Sequence, residues 1–226
     1  MNELKKHWSR ILLHLIAATT MIIDLTQGHT GWVGENLFDP RIAEQTFDPG
    51  LEAGKWAIRF LLICLSMTPI NSYLGWRYAI RLRKPAGLWA FAFAAIHLWI
   101  YITNEGKWHW LTFPMQPFIA LGLLGMIILM SLTATSNKWA MQGLKKNWKR
   151  LHRLVYLACS TVIIHAMMAT NASKKLFLRD PDAIGELRVY LILFILLMLV
   201  RLKPVRQAIK KAQRGFKRLP KSAVVE

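Results

Sequence analysis

Three stretches of this chain run for the length of a membrane crossing without a single Asp, Glu, Lys or Arg. Pro85 to Thr103 holds nineteen such residues, Pro117 to Ser136 twenty, and Leu154 to Ser173 another twenty. A helix needs roughly 20 apolar residues to span the hydrocarbon core, and a buried soluble helix seldom stays uncharged on all sides for so long. Three weaker runs extend the pattern. Ile11 to Ile23 ends at Asp24 and has Trp8 as an interfacial anchor; Ala57 to Leu74 is broken only by Arg59; Val189 to Val200 reaches spanning length by starting near Ala183 and including Glu186 and Arg188. These runs predict an all-α integral membrane protein, a bundle of six transmembrane helices over about 8–25, 56–74, 85–103, 117–136, 152–172 and 184–202. They form one membrane unit, residues 1–203, followed by a basic tail, 204–226. No small-residue cleavage site follows the first apolar run, so helix one reads as retained and not as a signal peptide.

Charge supports the count of six. The 226 residues are 54% hydrophobic yet carry a formal charge of +18. Such a surplus could signal nucleic acid, but threading six helices through a membrane sorts it. One side receives 22 of the 30 basic residues and two acids, Glu3 and Glu226, for a net +20; the other keeps 8 basic and 10 acidic residues, net −2. Lys and Arg gather in cytoplasmic loops, so both termini are predicted to be cytoplasmic. Five helices would strand a basic cluster outside. The surplus is a record of topology that also suits anionic lipid, and no nucleic-acid partner is expected. Two cysteines, Cys64 and Cys159, fall inside predicted helices and read as small core residues rather than as a disulfide or zinc framework.

Histidine is the informative residue type. His7, His29 and His109 fall in predicted termini or loops and read as solvated. His14, His97, His152 and His165 lie in or at the ends of predicted helices, where ionisable groups are costly and usually face the protein interior. His97 stands 12 residues beyond Pro85 and His165 stands 12 beyond Arg153. At the helical rise both are about 18 Å deep. Two imidazoles on different helices at one depth can ligate one iron from opposite faces, as in a six-coordinate b-type haem. Gly87, Ala90 and Ala94 share a face with His97, and Ala158, Thr161 and Ala169 with His165. Small residues there leave room for a porphyrin, and would equally allow close helix packing. His152 precedes His165 by 13 residues, which puts the two about 140° apart on an ideal helix. They share no face unless the helix bends or bulges. Thirteen residues before His97 stands Lys84, so His14 is the nearest candidate partner for an inner haem.

Two segments carry a resemblance. Arg81–Leu82–Arg83–Lys84–Pro85–Ala86–Gly87–Leu88–Trp89 leading to His97, and Leu144 to Tyr156 (with Trp148, Leu151, His152, Val155 and Tyr156) leading to His165, are similar to the MsrQ (YedZ) family. Thr68–Pro69 and Thr133–Ala134–Thr135–Ser136 add to the match, which runs from about Ala53 to Ala169. That family is the haem-binding membrane subunit of a bacterial periplasmic methionine sulfoxide reductase system, in the ferric-reductase-like transmembrane superfamily. The resemblance implies three haem-ligand positions, His97, His152 and His165, one or two non-covalent b haems, and an association with FMN. It implies an inner-membrane location, a periplasmic molybdenum-cofactor reductase as partner, and quinol or a cytosolic flavin reductase as electron donor. This chain departs from the family pattern in a longer acidic stretch, Gln27 to Leu51, which bears on how that partner docks.

Hydride chemistry needs more than this chain offers. After Val200 only 26 residues remain, without a Gly-x-Gly-x-x-Gly signature, so no nucleotide-binding domain is expected there. An electron-transfer subunit without substrate turnover of its own is the expectation. Haem propionates need cations: Arg59 is the candidate near the outer end, with snorkelling as its other role. Arg77, Arg81, Arg83 and Arg150 are available on the inner side, where topology and lipid contact equally account for them. Two further functions fit the same residues: a self-contained ferric or quinone reductase, and a small proton-coupled transporter or membrane scaffold without haem. A visible spectrum separates the last from the others.

Overall fold

The computed structural model describes residues 2–30, 49–104, 117–169 and 181–217, and every regular element among them is helical. In chain order these are α1 (Asn2–Thr30), α2 (Pro49–Leu74), α3 (Ala79–Asn104), α4 (Pro117–Ala134), α5 (Lys138–Leu144), α6 (Lys146–Leu151), a 3₁₀ turn at His152–Leu154, α7 (Val155–Ala169), α8 (Pro181–Leu199) and α9 (Lys203–Lys217). Four spans are long and apolar enough to cross a membrane: Gly50–Leu74, Ala79–Thr103, Pro117–Ala134, and Lys146–Ala169 through the 3₁₀ turn. The protein is a multi-pass helical membrane protein. α1 contributes a shorter apolar stretch, Trp8–Ile23.

α2 is the central helix. Within its span 44% of residues are buried, against 17% in α3, because α1, α3, α7 and α8 all pack on it. α2 and α3 form a hairpin whose turn holds Gly75 at φ +70°, a left-handed conformation that glycine adopts without a Cβ clash. α4 and α7 form a second tight pair. An aromatic cluster pins the hairpin: Phe93 is fully buried, with Phe60 stacked at 5.5 Å and Trp56 and Trp89 each at 6.2 Å.

The observed boundaries depart from the predicted ones where charge or proline misled a charge-free criterion. α2 starts at Pro49, not near 56, because Lys55 and Arg59 are paired with Glu52 in the same helix and with Glu186 of α8. α3 starts at Ala79 and runs through Pro85. Pro69 inside α2 has no N–H for the carbonyl one turn back, Leu65 O. Arg201, just beyond α8, donates to that carbonyl and to the Tyr156 hydroxyl on α7. One guanidinium thus closes three helices at this end of the bundle. The predicted helix 152–172 opens on the 3₁₀ turn, with regular α-helix described over Val155–Ala169, and Lys145 at φ 48° separates α5 from α6. The tail is ordered through Lys217 as α9, where Pro204 suits a first turn and Gln213 donates to Tyr73 O at 2.9 Å. Most of the acidic stretch, residues 31–48, lies outside the described residues.

Candidate functional site

A cavity opens between α2, α3, α4 and α7 near the ends where α2 and α4 begin. Counted with its open mouth, the empty space comes to about 1230 Å³. Its wall is apolar, built from Ala57, Ile58, Ala94, Leu98, Met126 and Val162 among others, and two imidazoles, His97 and His165, face into it.

The two rings are 6.1 Å apart between centroids, with their planes at 76°. A metal ligated by two opposed imidazoles sits about 2 Å from each ring nitrogen, which sets the centroids about 6 Å apart. The spacing therefore fits one shared metal. The tautomers fit as well. His97 Nδ1 lies 2.6 Å from Gly50 O, and His165 Nδ1 lies 2.7 Å from Phe118 O. A carbonyl only accepts, so each Nδ1 carries the proton and donates. Each Nε2 then keeps its lone pair, which is how metal-ligating histidines are commonly held. Among the described residues no group of three or more His, Cys, Asp or Glu side chains converges as a metal site. A two-ligand arrangement suits a metal whose other positions a macrocycle fills.

The small residues beside the histidines divide between two duties. Ala94 and Ala169 line the cavity. Ala90 and Ala158 are fully buried in helix packing, and Gly87 faces Cys64. Thr161 bonds back to Leu157 O and Ala158 O. Cys64 and Cys159 are free and buried.

His152 and His14 are not brought to this cavity. The 3₁₀ turn is the sort of irregularity that could realign His152 with His165, yet the His152 ring lies tilted against Trp148 at 4.1 Å, with Nε2 3.3 Å from Thr135 Oγ1. His14 lies on the exposed side of α1, where its Nδ1 accepts from Trp89 Nε1 at 2.9 Å. Its proton is therefore on Nε2, the nitrogen a metal would need. His7, His29 and His109 lie outside the residues whose side chains are described. Arg77 and Arg81 are exposed at the opposite end of the bundle, Arg81 over the Tyr78 ring at 5.1 Å.

Arg59 belongs to a charge cluster at the cavity's end of the bundle. Its Nε donates to Tyr190 Oη at 2.6 Å, its Nη2 lies 3.4 Å from Glu186, its Nη1 lies 3.9 Å from Glu52, and its guanidinium covers Trp56 at 4.5 Å. Lys55 completes the cluster, 2.6 Å from Glu52 and 3.3 Å from Glu186, and lines the cavity, as Arg59 does not. Two cations face two carboxylates. Sequence reasoning missed Lys55, Glu52, Glu186 and Tyr190, because a charge near a predicted helix end reads as an interfacial residue until its partner 127 positions away is known.

The amino-acid sequence has known relatives. Residues 53–176 match the family described as ferric reductase like transmembrane component, and the chain belongs to that family. Within it, the chain groups with MsrQ. It is 34% identical over 173 residues to the protein-methionine-sulfoxide reductase heme-binding subunit MsrQ of Caulobacter vibrioides, a match covering 74% of this chain and 77% of the relative. It is 38% identical over 116 residues to the MsrQ of Xanthomonas euvesicatoria pv. vesicatoria and 37% identical over 116 to that of Xanthomonas oryzae pv. oryzae. Each of those matches covers 50% of this chain and 53% of the relative. No solved structure matches the chain.

Proposed function

We propose that this chain is a b-type haem subunit of a bacterial inner membrane. It would carry electrons from quinol or a cytosolic flavin reductase to a periplasmic molybdenum-cofactor enzyme that reduces methionine sulfoxide in proteins. The observation that carries the reading is the His97–His165 pair, spaced for one metal, with both Nδ1 atoms tied to backbone carbonyls inside an apolar cavity. Haem supplies, when bound, a one-electron step whose potential depends on axial ligands and burial. The chain's own residues do the rest. His97 and His165 hold neutral imidazoles with Nε2 free, and the apolar wall excludes water. The partner is supported by the names of the relatives, which are heme-binding subunits of protein-methionine-sulfoxide reductase.

The topology we infer has six spans, α1 and α8 joining the four longer ones, with both termini cytoplasmic. The uneven division of basic residues supports it. Residues 1–203 would then be the membrane unit and 204–226 a cytoplasmic basic tail, with Arg77 and Arg81 on the inner face near lipid or an inner ligand. A second haem at His152 would require that ring to leave Trp148, and FMN is carried by the family resemblance. The ferric-reductase family match keeps one alternative in play, reduction of iron or quinone by this chain without a partner.

Purification and deletion test the proposal together. The detergent-solubilised protein should show a reducible Soret band and co-purify with an exported molybdenum-cofactor enzyme. Deleting its gene should abolish methionine sulfoxide repair outside the membrane, with rescue by the wild type and none by His165→Ala. Repair that survives the deletion refutes the partner; a protein without a reducible band refutes the haem.

A further inference from the structure

Each cavity histidine rests on a glycine. A Cβ on Gly122 would lie 2.9 Å from both Nδ1 and Cε1 of His165, and one on Gly54 would lie 3.1 Å from Nδ1 and 3.3 Å from Cε1 of His97. The carbonyl that each Nδ1 uses belongs to the residue one helical turn earlier, Phe118 or Gly50. Both acceptors lie 47 residues before their histidine. The seats repeat through the chain at one spacing: Pro49 and Pro117, Gly50 and Phe118, Gly54 and Gly122, His97 and His165 are each 68 positions apart. Two helix pairs, α2 with α3 and α4 with α7, thus present an imidazole to the cavity in the same way.

Backbone conformation does not explain these glycines. Gly75 is the described glycine with a positive φ, so Gly54 and Gly122 have ordinary helical backbone that alanine would adopt. Alanine is also the better helix former. What glycine provides is space: without a Cβ the imidazole edge lies against the helix and reaches the carbonyl one turn back.

We propose that Gly54 and Gly122 are positioning residues that seat the two axial histidines, fixing the direction of each Nε2 and the Nδ1-to-carbonyl bond that sets its tautomer. The inference rests on the haem reading above. It extends that reading to two glycines of the cavity wall that have no side chain with which to ligate. A methyl group at Gly122 falls below contact distance and displaces the His165 ring from α4; at Gly54 the His97 ring must give by a few tenths of an ångström. Either shift lengthens the Nδ1 bond and turns Nε2 away from the shared axis. Gly122 is the tighter seat and should be the more sensitive.

The test compares Gly122→Ala, Gly54→Ala and Gly125→Ala with the wild type in detergent, reading haem retained per protein, the low-spin visible bands, the midpoint potential and thermal stability. Gly125 is the control. A Cβ there would lie 2.7 Å from Val162 Cγ2, so it strains the same α4–α7 contact without reaching a histidine ring. Gly122→Ala is expected to retain haem about tenfold less tightly, the lower end for partners that orient metal-bound histidines, and to lose low-spin character. Gly54→Ala should do the same more weakly, and it carries the test if Gly122→Ala does not fold. Gly125→Ala should lower stability while keeping bands and potential. A wild-type band that Gly122→Ala and Gly54→Ala leave unchanged overturns this inference alone. Equal spectral change in Gly125→Ala overturns it too, since the glycines would then act through general packing. A wild type with no haem band overturns the haem reading and this inference with it.

Discussion

Replacing Arg59 with methionine separates two roles for a cation near a haem site. In the structure its charge is already matched: Tyr190 accepts from Nε at 2.6 Å, and Glu186 and Glu52 lie at 3.4 and 3.9 Å. The bond to Tyr190 is charge-assisted and contributes about 1.5–3 kcal/mol. The pair with Glu186 adds less, because that carboxylate is 42% exposed and a screened pair contributes roughly 0–1 kcal/mol. The guanidinium over Trp56 adds about 0.5–1 kcal/mol. Lys55 still faces both carboxylates, so neither is orphaned when Arg59 is removed. The net loss should be about 3 kcal/mol, a fall of roughly 6–12 °C in the unfolding midpoint of a chain this size. Thermal unfolding in detergent reads that loss, and redox titration reads the haem on the same sample. The expected result is lower stability with unchanged haem bands and potential, since Arg59 clamps α2 to α8. Unchanged stability with a lost or shifted haem would refute this reasoning and make Arg59 a propionate cation.

Other residues give further outcomes. Phe93→Ala should cost about 3–5 kcal/mol, the usual range for a fully buried aromatic, read by the same unfolding assay. Arg201→Leu strips Leu65 O of its donor and should cost about 1–3 kcal/mol. Adding Pro69→Ala should recover part of that loss, because an alanine N–H at 69 can reach the carbonyl, and a double-mutant cycle showing no coupling would contradict it. His152→Ala and His14→Ala should leave the low-spin band of the His97–His165 site in place, whereas His97→Ala or His165→Ala should remove it in the visible spectrum.

Much of the membrane architecture was legible in the sequence, because a span is defined by what it lacks. The charge-free runs at 85–103, 117–136 and 154–173 fall on α3, α4 and α7, and the matched depth of His97 and His165 anticipated two rings 6.1 Å apart. What stayed hidden depends on pairing across long separations. Arg59 reads as a lone charge until Glu186 and Tyr190 are opposite it. Pro69 reads as a gap in the backbone bonding of a predicted helix until Arg201 takes the Leu65 carbonyl. His152 reads as a ligand by family pattern, and nothing in that pattern places its ring beside Trp148. The glycine seats had a signal, the same Pro-x-x-x-x-Gly spacing beginning 48 residues ahead of each histidine. It becomes meaningful only once the ring is seen against the helix.

The central claim is that His97 and His165 ligate one iron from opposite sides. Electron paramagnetic resonance of the oxidised protein tests it most directly, because the signal of a ferric haem reports both the number of imidazole ligands and the angle between their planes. With the rings at 76°, the account expects a highly anisotropic low-spin signal dominated by one large g value, which disappears in His97→Ala and in His165→Ala. A high-spin signal in the wild type, or a low-spin signal that survives both substitutions, would contradict it.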